Sequence, residues 1–164
     1  MFRKIFICVV SITMLVFSAG CAVKSESKDV AQIIYAVDSG PILPELQMHE
    51  EYTITRTGVE LERSGKSSET QVFEGMWAFT TDEGLLAELF TLAEGGECAV
   101  YKRVESSEPP EGGDTFLITL VYTDGSDCSL LYDPGASYEG AEELLGKVRE
   151  VIKALKARPN VVPE

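Results

Sequence analysis

The sequence predicts an α+β fold, with a mostly antiparallel sheet and two helices packed on one face. Short runs of β-branched and aromatic residues recur along the chain, as is typical of strands. Two longer segments have the apolar spacing of amphipathic helices. These segments follow the order strands, helix, three strands, helix. Because strand and helix do not alternate regularly, a parallel α/β sheet is not expected.

The length and composition predict one ordinary globular domain. The chain has 164 residues, 45% of them hydrophobic and 25% charged, which excludes wholesale disorder and a polytopic membrane protein. One domain is predicted over residues 31–159, followed by a tail of residues 160–164. The formal net charge is -13. Nucleic acid is therefore not expected as a partner, because the chain lacks the basic patch that would displace the counterions of phosphates.

The first 20 residues have the features of a secretory signal peptide. Two basic residues follow the initiator, and an apolar run from Ile5 to Phe17 comes next. This run is shorter than the roughly 20 residues that a spanning helix needs. Small residues at positions 18–20 then precede Cys21.

The sequence Ser18-Ala19-Gly20-Cys21 resembles the lipobox of bacterial lipoproteins, whose signal is cut before the cysteine. The resemblance implies that Cys21 is lipidated and anchors the protein at a membrane surface of the cell envelope. In a bacterium with two membranes, Ala22 implies delivery to the outer membrane. Ser18 departs from the family pattern, in which Leu is more common, so cleavage without lipid stays open. A retained anchor helix is a separate alternative, which the short apolar run disfavours. Residues 21–30 are polar and aperiodic, which predicts a tether.

The first half of the domain is predicted to contain short strands. Gln32–Val37 is β-branched and aromatic and is followed by turn residues. The alternation from Glu51 to Arg63 breaks at Gly58, which predicts two strands joined by a bend. Thr70–Phe79 alternates again, with aromatic side chains on one side.

Two helices are predicted from capping and periodicity. Thr80 and Glu83 have the spacing of a capping box, and the apolar face that follows ends at Gly95-Gly96, where glycine adopts positive φ at low cost. The second helix, from about Tyr138 to Arg158, has the clearest i, i+3, i+4, i+7 pattern of the chain. Acidic residues in its first turn and basic residues in its last turn match the helix dipole.

Three strands are predicted between the helices. The first is Cys98–Val104, and a loop rich in Pro, Gly and acidic residues follows it. Phe116–Tyr122 is apolar on both phases, which predicts a strand covered on both faces. Asp124-Gly125 then predicts a hairpin to a strand over Cys128–Tyr132.

An exported chain with two internal cysteines, Cys98 and Cys128, suggests a disulfide. If the three strands form a meander, the cysteines lie two strands apart, about 9 to 10 Å, whereas the Cα atoms of a disulfide are about 4.4 to 6.8 Å apart. The bond can close only if Cys98 lies in the loop before its strand. Otherwise both cysteines are small buried apolar residues.

No constellation of catalytic or metal-binding residues stands out, so neither an enzyme nor a metal or cofactor site is expected. His49 is the only histidine, and HExxH, CxxC and hydrolase nucleophile motifs are absent from the sequence. Acidic residues cluster around Asp124, Asp127 and Asp133 and in the loop over 105–114. They lack the EF-hand spacing, and turn chemistry explains them.

The sequence therefore favours a binding or interaction module that is tethered by lipid and contacts an envelope protein. The candidate partner-binding loop is Pro41, Ile42, Leu43 and Pro44. Two prolines exclude a central strand and stiffen a loop with two apolar side chains. The alternative is that both side chains tuck under the sheet.

A second function comes from a resemblance. The order of elements after residue 48 is similar to that of emfourin, a small bacterial inhibitor of metalloproteases. The resemblance implies an exported protease inhibitor as the alternative function. No motif matches, so no functional residue carries over.

Overall fold

The structure of the protein is a computed structural model that describes residues 28–96 and 98–162. The predicted signal peptide, the predicted lipidation site Cys21 and most of the predicted tether lie outside these residues. None of the helices within the described ranges is long and apolar enough to cross a membrane.

The predicted α+β class is confirmed. A six-stranded antiparallel sheet packs against two helices, and a two-stranded sheet lies beside it. The strands of the large sheet are β1 (Val30–Asp38), β2 (Met48–Thr55), β3 (Gly58–Gly65), β4 (Gly75–Phe79), β6 (Thr115–Tyr122) and β7 (Asp127–Tyr132). The small sheet consists of β5 (Lys102–Glu105) and β8 (Ala136–Glu139), and the helices are α1 (Glu83–Gly95) and α2 (Glu142–Ala154). The strand order of the large sheet is β4-β3-β2-β1-β6-β7, so the first strand lies in the middle.

The core lies between one face of the large sheet and both helices. The register places Ile33 of β1 beside Ile54 of β2 and Leu120 of β6, so inward-facing residues form continuous rows across the sheet. These rows and the apolar faces of both helices form one buried cluster. The helices contribute Leu86, Leu89, Phe90 and Ala93 from α1 and Leu144, Val148, Val151 and Ile152 from α2.

The opposite face of the large sheet is covered by neither helix, and we call it the open face. It consists of the alternate strand residues that point away from the core. The prediction that β6 is covered on both faces is therefore wrong. Ile118 and Leu120 are buried, whereas Leu117 and Val121 are partly exposed on the open face.

Both helices begin later than predicted. The N-cap of α1 is Asp82, whose side chain accepts a hydrogen bond from Leu85 N at 3.0 Å, so Thr80 does not cap the helix. The second helix begins after Tyr138, because that residue belongs to β8, and it ends at Ala154. Gly96 follows α1 without a positive φ. Glycine fits there for another reason, because a Cβ would overlap the Tyr101 hydroxyl.

The three strands predicted between the helices do not form a meander. Cys98–Val100 is a short 3₁₀ turn, and β5 after it pairs with β8 instead of joining the large sheet. Side chains of this small sheet bind the outer edge of β7. Arg103 donates from Nη1 to Leu131 O at 2.6 Å, and Leu131 N donates to the Tyr138 hydroxyl at 3.3 Å. The small sheet thus satisfies main-chain groups of an edge strand.

Candidate interaction site

The predicted partner-binding loop connects β1 to β2 and is exposed. Pro41, Ile42, Leu43 and Pro44 are all exposed at the surface, with Ile42 at 49% and Leu43 at 60%. The alternative that both side chains tuck under the sheet is wrong. Two aliphatic side chains between prolines therefore stand in solvent at one end of the sheet.

The base of this loop is fixed by hydrogen bonds. Ser39 N donates to Met48 O at 3.0 Å, and Met48 N donates to Ser39 Oγ at 2.8 Å. These two bonds tie the residue after β1 to the first residue of β2. Gly40 N donates to Asp114 Oδ1 at 2.9 Å, which joins the loop to the segment before β6. The loop is therefore held from two sides at its first residues.

The second half of the loop is a single 3₁₀ turn over Pro44–Leu46. Leu46 N donates to Leu43 O at 2.9 Å, and Glu45 O accepts a hydrogen bond from Gln71 N at 2.8 Å. Proline suits the first position of such a turn because its missing N–H has no partner there. The exposed side chains consequently project from a backbone that is fixed before and after them.

A glycine-rich neighbour allows the loop to pack closely. A Cβ on Gly40 would lie 2.3 Å from Gly113 O, so only glycine fits at this crossing. Gly112 has a φ of +83°, and a Cβ on it would lie 2.9 Å from Pro41 Cγ. From the sequence these were only loop glycines, because the contact joins segments about 70 residues apart.

A charged cluster lies beside the base of the loop. Asp38 Oδ1 accepts from Lys66 Nζ at 2.5 Å and lies 3.2 Å from His49 Nδ1. Partial burial raises the pKa of Asp38, but the hydrogen bonds from Lys66 and His49 outweigh burial and hold this pKa below its usual value. His49 thus lies next to a carboxylate that stays ionised at neutral pH, and the pair helps to position the end of β1.

Two of the acidic residues around the last hairpin, Asp124 and Asp133, have separate structural partners. Asp124 accepts hydrogen bonds from Ser126 in the turn between β6 and β7 and pairs with Lys28 at 3.0 Å. The bonds from Ser126, and then the pairing with Lys28, lower the pKa of Asp124 to about 2. Asp133 pairs with Arg103 at 2.8 Å. Among residues 28–96 and 98–162, no group of three His, Cys, Asp or Glu side chains could hold a metal ion.

A buried ionic network lies under the loop end of the sheet. Arg63 and Glu50 are 2% and 5% exposed and face each other across β3 and β2. The Arg63 guanidinium donates from Nε to Glu50 Oε1 at 2.7 Å, and its Nη2 lies 2.6 Å from the same oxygen. Tyr52 donates to Glu50 Oε2 at 2.8 Å, and Arg158 donates to both the Tyr52 hydroxyl and Glu50. Every oxygen of the buried carboxylate is therefore hydrogen-bonded.

The same network holds the end of the chain. Arg63 donates to Asn160 O at 2.8 Å and to Pro159 O at 3.4 Å, and Phe73 N donates to Val161 O at 2.7 Å. The predicted tail of residues 160–164 therefore begins with residues that are bound to the sheet. The sequence did carry one signal, since Arg63 continues the buried alternation of Val59 and Leu61. What it could not show was that the tail supplies acceptors for the buried cation.

Cys98 and Cys128 form a disulfide at the opposite end of the sheet, with their Cα atoms 5.8 Å apart. Cys98 lies in the 3₁₀ turn before β5, which is the placement that allows the bond. Lys28 and the turn between β6 and β7 are at this end too, whereas the exposed loop is at the other end of β1. No family model, curated protein or solved structure matches the chain, so no residue role is transferred from a relative.

Proposed function

We propose that the protein is a lipid-anchored protein of the cell envelope that acts by binding another envelope protein through the loop from Asp38 to Glu45. The observation that carries the proposal is the exposure of Ile42 and Leu43 on a backbone held at both ends. A loop that is already ordered loses little conformational freedom on binding, so its apolar side chains contribute fully to affinity.

The position of the loop supports this proposal. β1 leads from Val30, near the end that would continue into the tether, to Asp38 at the loop. Nine strand residues at about 3.3 Å each span roughly 30 Å. An anchor at Cys21 would therefore leave the loop at the far end of the domain. The net charge of -13 also disfavours contact with an anionic membrane surface, which attracts Lys and Arg.

A protease inhibitor is the second candidate, and the geometry of the same loop favours it. Leu43 has φ -54° and ψ 132°, which is close to the extended polyproline II conformation. A rigid extended residue flanked by exposed apolar side chains suits a protease cleft as well as a receptor. The two candidates differ in one outcome, since only an inhibitor lowers the activity of a protease.

The anchor is tested by intact mass of the membrane fraction. We expect a product that begins at Cys21 and carries a diacyl or triacyl increment. The variant Cys21→Ser should lose both the increment and the membrane association. A soluble product that starts at another residue would contradict the anchor.

The loop is tested with the double variant Ile42→Ser and Leu43→Ser, followed by capture from envelope extract. We expect the loss of one captured protein with an unchanged melting curve, because neither side chain belongs to the core. Val100→Ser, which removes an exposed aliphatic side chain near the disulfide, is the matched control and should retain the partner. Loss of metalloprotease inhibition in the loop variant would select the inhibitor. Hydrolysis that disappears with His49→Ala would overturn both binding functions.

A further inference from the structure

We propose that the open face of the large sheet is a second docking surface, which takes a basic amphipathic segment of a partner protein. Such a segment has a row of apolar side chains flanked by Lys or Arg. The inference does not rest on the exposed loop, because the loop lies at the end of the sheet and the open face lies across it.

One half of the open face carries most of its large aliphatic side chains, with Thr119 and Ser129 hydrogen-bonded to each other between them. The register places Ala36 of β1 beside Leu117 of β6, and Leu117 beside Leu131 of β7. Leu131 is 39% exposed, although it is a large aliphatic residue in a strand. The partly or fully exposed large apolar residues of this half are Ile34, Leu117, Val121 and Leu131.

The other half carries three carboxylates, together with the exposed Met76 of β4 and His49 of β2. Glu51 of β2 directly opposes Glu62 of β3, and Glu60 lies two residues from Glu62 on the same face. Within the described part of the chain none of these three carboxylates has an ion pair or a hydrogen bond. Like charges that face each other across two strands destabilise a sheet. Basic side chains of a partner would remove this repulsion.

The two halves adjoin, and their dimensions suit a helix. Ala36 of the apolar half lies directly beside Glu51 of the acidic half, at the border of β1 and β2. A helix about 10 Å wide covers roughly two strands spaced about 4.8 Å apart. Strands of about eight residues are roughly 26 Å long, which matches about 17 residues of helix. A helix laid along this border could place apolar residues toward β6 and basic residues toward β3.

Charge selects this occupant over others. Nucleic acid and anionic lipid would both be repelled by the carboxylates and by the net charge of -13. A second copy of the chain would bring the same three carboxylates to the interface. A protein segment with apolar and basic rows matches both halves at once, through burial of apolar area and through opposite charge.

The probe is a synthetic helical peptide of 18 residues with Leu on one face and Lys on one flank, and its counterpart has Glu in place of Lys. Binding to the full chain is followed by fluorescence anisotropy. We expect the Lys peptide to bind and the Glu peptide not to bind. Glu51→Gln, Glu60→Gln and Glu62→Gln together should weaken binding about tenfold, since each exposed ion pair contributes modestly.

The matched control removes the same charge elsewhere. Glu69→Gln, Glu108→Gln and Glu111→Gln change three exposed acidic residues that lie outside the strands of the open face, and should weaken binding less than about twofold, through long-range attraction alone. Leu131→Ser should weaken binding several-fold. The loop variant Ile42→Ser and Leu43→Ser should bind the peptide normally, so failure of the proposed function would not affect this result.

Several outcomes would overturn the docking surface. Equal weakening by the two charge triplets would show unspecific attraction, and equal affinity of the Glu peptide would remove the electrostatic basis. Absence of binding at about 1 mM Lys peptide would contradict the whole proposal. Preferential binding of anionic vesicles or of RNA, or dimerisation through Leu131, would assign the face to a different occupant.

Discussion

Glu50 and Glu51 are neighbours in β2, yet they face opposite sides of the sheet. Glu50 lies opposite a positive side chain and Glu51 opposite a negative one. Glu50 points into the core and opposes Arg63, which donates to it at 2.7 Å. Glu51 points to the open face and opposes Glu62. Side chains of a strand alternate between faces, so a step of one residue exchanges an attractive pair for a repulsive one.

The comparison shows how burial decides what a charge requires. A carboxylate in the core must be paired and hydrogen-bonded, because desolvation otherwise costs several kcal/mol. A carboxylate on the open face is hydrated, and water and salt screen its neighbour. The two faces of one sheet therefore follow different rules for the same residue type.

The largest effect is expected from Arg63→Met. This change removes the direct buried partner of Glu50 and leaves it only Arg158 at 3.4 Å, so it should lower the free energy of unfolding by about 3 to 5 kcal/mol. Chemical denaturation of the variant measures the loss. The double variant Arg63→Met and Glu50→Gln should recover part of it, because it removes the orphaned charge. A loss below about 1 kcal/mol would mean that water already reaches the pair.

Removing a charge from the open face should change the free energy of unfolding very little. Glu62→Gln removes one member of a repulsive pair, so the free energy of unfolding should stay unchanged or rise by a few tenths of a kcal/mol. Denaturation under the same conditions is the measurement. Marked destabilisation would show that Glu62 has a structural role that its exposed position does not suggest.

An effect of intermediate size separates two buried tyrosines of the core face. The Tyr52 hydroxyl donates to Glu50 at 2.8 Å, whereas within the described ranges the buried Tyr132 hydroxyl has no hydrogen-bond partner. Tyr52→Phe should therefore destabilise the domain by about 1 to 3 kcal/mol, and Tyr132→Phe should be neutral or stabilising. Thermal melts of both variants test the difference, which would vanish if a water molecule satisfied Tyr132.

Alkaline pH should lower the free energy of unfolding through the buried tyrosines of the core face. Burial, and then the hydrogen bond to Glu50, raise the pKa of Tyr52 well above its usual value, and burial raises the pKa of Tyr132 to about 12. As pH rises above about 10, the unfolded chain loses these protons first, so stability that is complete below pH 10 falls by up to about 1.4 kcal/mol per pH unit for each tyrosine. Denaturation between about pH 9 and 11 should give a shallower slope for Tyr52→Phe, and identical slopes would contradict the assignment.

Local patterns predicted much of this fold. The bend at Gly58, the hairpin at Asp124-Gly125 and the apolar face of α2 are all found, because each depends on residues close in sequence. The exposed loop was also identified, since prolines at 41 and 44 exclude a strand. The sequence left open whether its apolar side chains are exposed or tucked under the sheet, because that depends on packing against the segment before β6.

The parts that were not predicted depend on distant contacts. β8 has only four residues and pairs with β5 across the β6 and β7 hairpin, so no local pattern marks it. α2 begins later than its apolar pattern predicts, because Tyr138 belongs to that small strand. Arg63 is a charged residue on a buried phase, and its acceptors come from Pro159 and Asn160 at the other end of the chain.

The central place of β1 has a consequence for how the chain reaches this structure. β1 pairs with β6, which is synthesised much later than β1, joining Val30 to Tyr122 and Asp38 to Thr115. High contact order of this kind slows folding, because a long loop must close before the contacts form. Until β6 is complete, β1 to β4 form four of the six strands of the sheet, and β1 is an unpaired edge. Such edges are prone to aggregation. A holdase chaperone that shields this edge should therefore increase the yield of folded protein more than one that acts after the hairpin of β6 and β7 has formed.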